Sequence, residues 1–188
     1  MIKKRNIEDI TRDLILAVGE NPTRGGLLET PKRVEKLYAE ILSGYTQSEK
    51  DVFKTFEYTG SDNLITVTQI PFYSLCEHHM VPFFGKIDIG YIPNKKILGL
   101  SKFVRLTNIF ARRLQVQENL TSQIAAAIMK YLKPKGVIVF SQAEHLCMSM
   151  RGVKTPGSVT KVVVKEGVFS RDQQLVNDFY NITKQYVS

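Results

Sequence analysis

Every cysteine and histidine of the chain lies in one of two short clusters. Cys76, His78 and His79 stand in the first, within Cys-Glu-His-His, and His145 and Cys147 stand in the second, within Glu-His-Leu-Cys. Thiolate and imidazole are the ligands that zinc prefers in proteins. Their confinement to two clusters predicts a metal site to which both clusters contribute.

The spacing of these residues suggests how they divide into ligands and other groups. Two residues separate Cys76 from His79, so both side chains of one turn can reach a single ion, and Cys147 would be a third ligand. Three protein ligands are typical of a catalytic zinc, whose fourth position holds a water with its pKa lowered from 15.7 to about 7. His78 and His145 would then remain as proton carriers. The same residues could instead form a structural zinc site with both cysteines and two histidines as ligands. They could also bind no metal, as core cysteines and surface histidines.

The positive charge of the chain is concentrated in the segment that holds both clusters. The net charge is +8 over 188 residues; residues 1–58 carry 10 basic and 10 acidic side chains, and residues 59–188 carry 16 against 8. Such a field attracts phosphates of a nucleic acid or of a small substrate, although a solvated basic surface gives the same count.

The compartment is indicated by the two cysteines, by the lack of an apolar leader and by the lack of a run of roughly 18 apolar residues. We therefore expect a cytoplasmic protein without a membrane partner.

Hydrophobic spacing predicts the elements that must position the two clusters. Helical periods over residues 7–18, and from Thr30 as N-cap to a stop at Gly44, predict a helical arm over residues 1–58. Beyond it, β-branched runs and helical periods follow in the order β-β-α-α-β-β-α, which favours an antiparallel α+β sheet. The predicted strands are 64–70, 84–91, 136–140 and 159–164, and the predicted helices are 101–114 with Ser101 as N-cap, 120–132, and one through Leu175 and Tyr186.

Motifs around the clusters resemble those of a known enzyme family. They are Asn21-Pro-Thr-Arg-Gly-Gly, the Cys-Glu-His-His element, Gly99-Leu-Ser-Lys followed by Arg105, Gln115-Val-Gln-Glu, and His145-Leu-Cys-Met-Ser-Met-Arg-Gly. Their order and spacing identify the chain as a member of the GTP cyclohydrolase I family. The resemblance runs from about residue 7 to residue 184 and is densest between 69 and 153.

This resemblance implies a reaction and a set of roles at the two clusters. The substrate would be GTP; water on zinc would add at C8 of the guanine, formate would leave, and an Amadori rearrangement would give 7,8-dihydroneopterin triphosphate, the first step of pterin and tetrahydrofolate biosynthesis. Cys76, His79 and Cys147 match the zinc ligands. His145 matches the residue that transfers a proton at the purine N7, and His78 the one that shuttles protons during ring opening and the ribose steps.

The resemblance also implies how the substrate is held. Glu118 matches the carboxylate that accepts the guanine N1 and N2 protons, and Gln117 matches a residue near the ribose. Glu77 matches a family position to which we assign no chemical step. The residues that match the triphosphate binders are Ser101, Lys102, Arg105 and Arg151.

The architecture implied by the family is the T-fold, an antiparallel four-stranded sheet with helices on one face. We therefore expect a helical N-terminal arm, residues 1–58, and a catalytic T-fold domain, residues 59–188. Subunits would close into pentamers that stack as a homodecamer, with active sites between neighbours. Two alternatives are another T-fold enzyme acting on pterins or purines, and a basic structural-zinc module for nucleic acid. Against the latter, no spaced aromatic residues accompany the basic ones, so no nucleic-acid partner is expected.

Overall fold

The computed structural model describes residues 5–184, and these divide into two compact units at the Ser43–Gly44 junction. The first unit holds the two predicted helices of the arm, α1 (Ile7–Ala17) and α2 (Thr30–Ile41), which contact each other. Asn6 caps α1, because its side-chain oxygen accepts the N–H of Asp9 at 2.7 Å. The prediction of Thr30 as an N-cap is wrong: Glu29 precedes α2 without a side-chain cap, and Thr30 is the first helical residue.

The second unit is built on one mixed sheet with four long strands, and its other elements fill the connections between them. The sheet order is β5-β2-β3-β6-β7, in which β2, β3, β6 and β7 are antiparallel neighbours and the short β5 lies parallel to β2. The strands are β1 (Thr55–Glu57), β2 (Ile65–Cys76), β3 (Pro82–Ile92), β4 (Lys96–Leu98), β5 (Leu114–Gln115), β6 (Gly136–His145) and β7 (Val159–Gly167). The helices are α3 (Leu100–Ala111), α4 (Gln117–Tyr131), α5 (Leu146–Ser149) and α6 (Gln173–Lys184), with short 3-10 turns at Ser43–Thr46, Glu49–Val52 and Val168–Ser170. Strands β1 and β4 pair with each other in a separate two-stranded sheet.

The main core lies between one face of the sheet and helices α3 and α4. Alternate residues of β3, Ile87, Ile89 and Tyr91, are almost fully buried and belong to the same apolar cluster as Phe103 of α3 and Ile124 of α4. Burying each such side chain contributes roughly 1.5–3 kcal/mol. This burial holds the two helices against the strands whose ends carry the Cys/His clusters.

A smaller core lies on the opposite face, where α6 packs against the sheet. Phe179 of α6 and Ile138 of β6 are fully buried there. Gly90 of β3 leaves room for the Phe179 ring, since a Cβ atom at Gly90 would lie 2.6 Å from that ring. The sequence predicts helices on one face of the sheet, where α3 and α4 lie. In the structure α6 also packs on the opposite face.

The predicted order of long elements, β-β-α-α-β-β-α, and the antiparallel α+β class are confirmed. The prediction of Ser101 as an N-cap is wrong, because α3 begins at Leu100 and Gly99 is its N-cap. Leu114 is not helical but pairs with Leu75 in β5. The predicted domain boundary near residue 58 lies further along the chain than the Ser43–Gly44 junction and stays a prediction. Tyr186 falls outside the described residues.

No helix within residues 5–184 combines the length and apolar character that a membrane crossing requires.

Candidate metal centre and active site

The first cluster lies in the turn between β2 and β3. Strand β2 ends at Cys76, whose N–H donates to the carbonyl of Val81 at 2.9 Å. The N–H of Met80 returns to the Cys76 carbonyl at 2.7 Å, and Met80 adopts a left-handed backbone with φ of 54°. This tight turn holds the side chains of Cys76 and His79 on one side of the chain reversal.

The second cluster reaches the same edge of the sheet through β6. Strands β2 and β6 both run antiparallel to β3, so they are parallel to each other and their carboxyl ends meet at one edge. Strand β6 ends at His145, opposite Phe83 near the start of β3, and α5 carries Cys147 onward from there.

The donor atoms of Cys76, His79 and Cys147 all lie within 4.8 Å of one another. Two thiol sulfurs and one imidazole nitrogen form a soft donor set that suits zinc. In a tetrahedral zinc site with bonds of 2.0–2.3 Å the donors are about 3.5–3.8 Å apart, so small side-chain rotations would complete the geometry. The residues therefore fit a zinc ion that leaves a fourth position open.

Burial and the neighbouring Cys76 raise the pKa of the Cys147 thiol, and the charge of Arg151 partly opposes them. Cys76 is buried, whereas Cys147 is partly exposed. A cation between the sulfurs would favour both thiolates, since metal binding requires the deprotonated form.

His78 is the more exposed of the two imidazoles outside the donor set. Its Nδ1 lies 3.7 Å from Cys76 Sγ, and its Nε2 lies 3.9 Å from Glu77 Oε1. The ring therefore stands beside the donor cluster with its outer nitrogen near a carboxylate.

His145 is held by two contacts. Its ring stacks on Phe83 at 4.7 Å between centroids with 1° between the planes, and its Nε2 lies 2.9 Å from Gln117 Oε1. Burial lowers the pKa of His145, and the carboxylate of Glu118 acts in the opposite direction. The imidazole is thus fixed in plane and direction.

Gln117 and Glu118 open α4 and point in different directions. Gln117 is 1% exposed, while Glu118 lies on the exposed side of the first turn. A carboxylate in the first helical turn is favoured by the helix dipole. Glu118 therefore presents a charge to solvent close enough to His145 to influence its pKa.

Two of the four predicted phosphate-binding residues line the same cavity. Lys102 and Arg105 of α3 line a cavity of about 550 Å³ together with Asn108, Arg112, residues 46–48 and residues 51–52. Ser101 is exposed in the first turn of α3, and Arg151 follows α5 near Cys147. Between residues 5 and 184, no hydrogen bond or ion pair joins Lys102 or Arg105 to the Cys/His clusters.

Sequence reasoning missed the residues that support His145. Phe83 forms the stacking surface, and Ser141 and Thr121 bond to Gln117 or to each other. The sequence offers little signal for Ser141, which follows the apolar run 136–140 as an ordinary polar residue, although the structure buries it fully in β6.

Taken together, the α+β sheet and the convergent sulfur and nitrogen donors define an enzyme with a candidate metal centre at one sheet edge. The family model described as GTP cyclohydrolase I matches residues 7–184. The chain belongs to the GTP cyclohydrolase I family, and its fold is the T-fold of that family with a helical arm before it.

Similar proteins agree over nearly the whole chain. GTP cyclohydrolase 1 of Finegoldia magna is 48% identical over 180 residues, covering 95% of this chain and 97% of the relative. GTP cyclohydrolase 1 of Clostridium kluyveri is 46% identical over 181 residues, covering 96% and 98%. A structure of the archaeosine synthase QueF-Like in the apo form is 17% identical, with a TM-score of 0.46 over 57% of this chain and 97% of that one.

Proposed function

We propose that this protein is a zinc-dependent GTP cyclohydrolase I, which opens the guanine imidazole ring of GTP, releases formate and forms 7,8-dihydroneopterin triphosphate. The observation that carries the proposal is the convergence of Cys76, His79 and Cys147 within 4.8 Å, in a chain of this family. A zinc ion there would supply Lewis-acid activation of water at neutral pH.

The two imidazoles outside the donor set would move protons. His145, held on Phe83 and Gln117, would exchange a proton with the purine N7. His78, more exposed and beside the donor cluster, would serve the later proton transfers of ring opening and ribose rearrangement. A fixed imidazole suits a single defined transfer, whereas an exposed one can serve several positions.

Substrate recognition would divide between a carboxylate and a group of cations. Glu118 would accept the N1 and N2 protons of guanine, an arrangement that adenine cannot reproduce because it lacks both donors. Lys102 and Arg105, which share one cavity, would bind the triphosphate together with Ser101 and Arg151. Guanidinium and ammonium groups neutralise phosphate charge by charge-assisted hydrogen bonds.

The cavity lined by Lys102 and Arg105 includes none of the metal donors, which fits a site completed by a neighbouring subunit. We therefore extend the proposal to a homo-oligomer, a decamer of two pentamers, in the cytoplasm. In such an assembly the unpaired outer edge of β7 would be covered by another sheet.

The test is turnover of GTP by the purified, zinc-loaded full chain, followed by detection of formate and of the fluorescent oxidised pterin. We expect both products from GTP and neither from ATP. Absence of GTP turnover by protein that holds zinc would overturn the proposal.

A variant pair tests the guanine contact. Glu118→Gln should lower kcat/KM for GTP by about 100-fold or more, because the amide has no charge and can accept only one of the two guanine N–H groups, and an unpaired donor costs about 1–3 kcal/mol or more when charge is involved. Zinc content should not change. Glu57→Gln, an exposed position on β1, is the matched control and should retain wild-type turnover.

A further inference from the structure

Gln117 is buried more deeply than contact with a substrate would require. Its amide is buried between α4 and the sheet, with 1% of the residue exposed. The amide nitrogen donates to the carbonyls of Ser141 and Thr160, each at 3.2 Å, and lies 2.9 Å from the Ser141 hydroxyl. The amide oxygen lies 2.9 Å from Nε2 of His145.

The orientation of this amide is fixed by its partners. Two backbone carbonyls accept hydrogen bonds and cannot donate, so a flipped amide would place its oxygen against both of them. The adjacent hydroxyls lead to the same orientation. The Thr121 hydroxyl donates its only proton to the backbone carbonyl of Gln117 at 2.7 Å. Ser141 must therefore be the donor in the 2.8 Å contact between the two hydroxyls. The Ser141 oxygen can then only accept from the Gln117 nitrogen, whose two N–H groups are shared among this hydroxyl and the two carbonyls, so that one N–H is bifurcated.

Once the amide is oriented, the tautomer of His145 follows. The Gln117 oxygen is an acceptor, so a neutral His145 must carry its proton on Nε2 to make the 2.9 Å bond. A 180° flip of the ring about Cβ–Cγ would keep the parallel contact with Phe83 but would place Cε1, not Nδ1, against the Gln117 oxygen, so Nε2 is the nitrogen that makes this bond. No hydrogen bond to Nδ1 of His145 is found within the described part of the chain.

We propose that Gln117 is a positioning residue that locks His145 in its Nε2–H tautomer and leaves Nδ1 as the nitrogen that exchanges a proton with the substrate. The second half of this statement rests on the proposed function, because it assumes that His145 moves a proton in the reaction. The first half concerns the chain alone. Gln117 would therefore act through His145 rather than through the ribose.

The test is ¹⁵N solid-state NMR on the zinc-loaded full chain labelled at the histidine imidazoles. The chain has three histidines, and the spectrum of a His145→Asn variant assigns the signals of His145 by their loss. At a pH high enough to keep the unligated imidazoles neutral, we expect His145 to show a protonated Nε2 and an unprotonated Nδ1. A protonated Nδ1 in the wild-type protein would overturn the proposal, whether or not any variant folds.

Two variants separate tautomer control from a structural role. Gln117→Met, of similar length but without a hydrogen-bonding amide, should yield mixed tautomers at His145 and lower kcat by about 10- to 100-fold with a smaller change in KM, as for other residues that orient reacting groups. Ser141→Ala removes one hydroxyl but keeps both carbonyl acceptors, so the Nε2–H state should persist. Ser122→Ala, exposed on the same helix, is the control and should match wild type.

The outcomes distinguish this inference from the proposed function. An unchanged single tautomer in folded Gln117→Met would mean that the amide is only structural, and would overturn the positioning role. If the wild-type protein shows the Nε2–H state but does not turn over GTP, the tautomer lock stands and the proposed function fails. If GTP is turned over while His145 carries its proton on Nδ1, the reverse holds.

Discussion

A single added methyl group at Gly85 should separate the two strands that carry the site. Gly85 of β3 lies opposite Ala143 of β6, and a Cβ at Gly85 would lie 1.8 Å from the carbonyl oxygen of Gln142 and 2.7 Å from Cα of Ala143. Real Cβ contacts are essentially never shorter than 3.0 Å, so β6 would have to move by about 1.2 Å to lengthen the shorter contact to that limit. Both contacts are to backbone, which cannot rotate away as a side chain can.

The cost of Gly85→Ala should lie at the upper end of the range for overpacking. Small-to-large changes in packed regions cost about 1–3 kcal/mol, and rigid neighbours favour about 3 kcal/mol. For a chain of this length, about 3 kcal/mol corresponds to a fall in Tm of roughly 6–12 °C. Glycine to alanine at a compatible position instead stabilises by about 0.4–1 kcal/mol, so the sign of the change is itself informative.

Thermal unfolding followed by circular dichroism, together with GTP turnover, measures this effect. Gly25→Ala is the matched control, since its Cβ would have nothing within 4 Å, and its Tm should not fall. Gly90→Ala should be intermediate, because its Cβ meets the Phe179 ring at 2.6 Å and that ring can shift. Turnover should fall in Gly85→Ala, because the Phe83–His145 stack lies two residues along the same strand pair. A Tm for Gly85→Ala equal to that of Gly25→Ala would refute the strand separation.

Three further perturbations have defined signs. Cys147→Ser should remove bound zinc and activity together, whereas His145→Ala should retain zinc by metal analysis; full zinc retention in Cys147→Ser would exclude it as a ligand. Burial raises the pKa of Asp88, so protonation favours the folded state, and stability from this group declines as pH rises through the raised value. Asp88→Asn, which can still accept the Gln69 N–H, should therefore be more stable than wild type at neutral pH and equal to it below the unfolded pKa; a pH-independent difference in unfolding free energy would contradict this. Phe179→Ala should cost about 3–5 kcal/mol in denaturant unfolding because the ring is fully buried, and a loss below about 1 kcal/mol would mean that α6 does not depend on it.

The long elements were predictable because each buries a regular apolar face, but β2 shows where that signal ends. The sequence predicts a strand over 64–70, and the strand in fact continues to Cys76. A register shift between Val67 and Ile70, with Gln69 at φ of 60°, interrupts the alternation. The buried Asp88 accepts the N–H of Gln69 at 2.6 Å, a long-range contact that no local pattern contains.

Helix ends were less predictable, since they depend on individual hydrogen bonds. Ser101 has the side chain of an N-cap, but the N–H of Lys102 donates to the Gly99 carbonyl at 2.8 Å, which starts α3 earlier. Leu114 continues the apolar period of α3, but parallel pairing with Leu75 draws it into the sheet. At Ser101 a local backbone bond decides where the helix begins, and at Leu114 a tertiary pairing outweighs the local helical preference.

The members of the site were recognisable by type, whereas their support was not. Cysteine and histidine are so few in this chain that their clustering alone indicates a shared purpose. Glutamine, serine and threonine are common, and the bonds of Gln117 to Ser141, Thr160 and His145 form only after α4 packs on the sheet. A sequence pattern cannot select one buried amide among many polar residues.

The topology explains why the site forms at this edge. Strands β2, β5 and β6 run in the same direction, and they end respectively at Cys76, at Gln115 just before Gln117, and at His145. Because β3 separates β2 from β6, their ends stand about 9.6 Å apart, twice the spacing of neighbouring strands. The turn after Cys76 and the short α5 after His145 must therefore lean toward each other across the start of β3 for the donors to converge. Phe83 lies at that start and stacks on His145, so the strand that separates the two halves of the site also supplies the surface that aligns one of them.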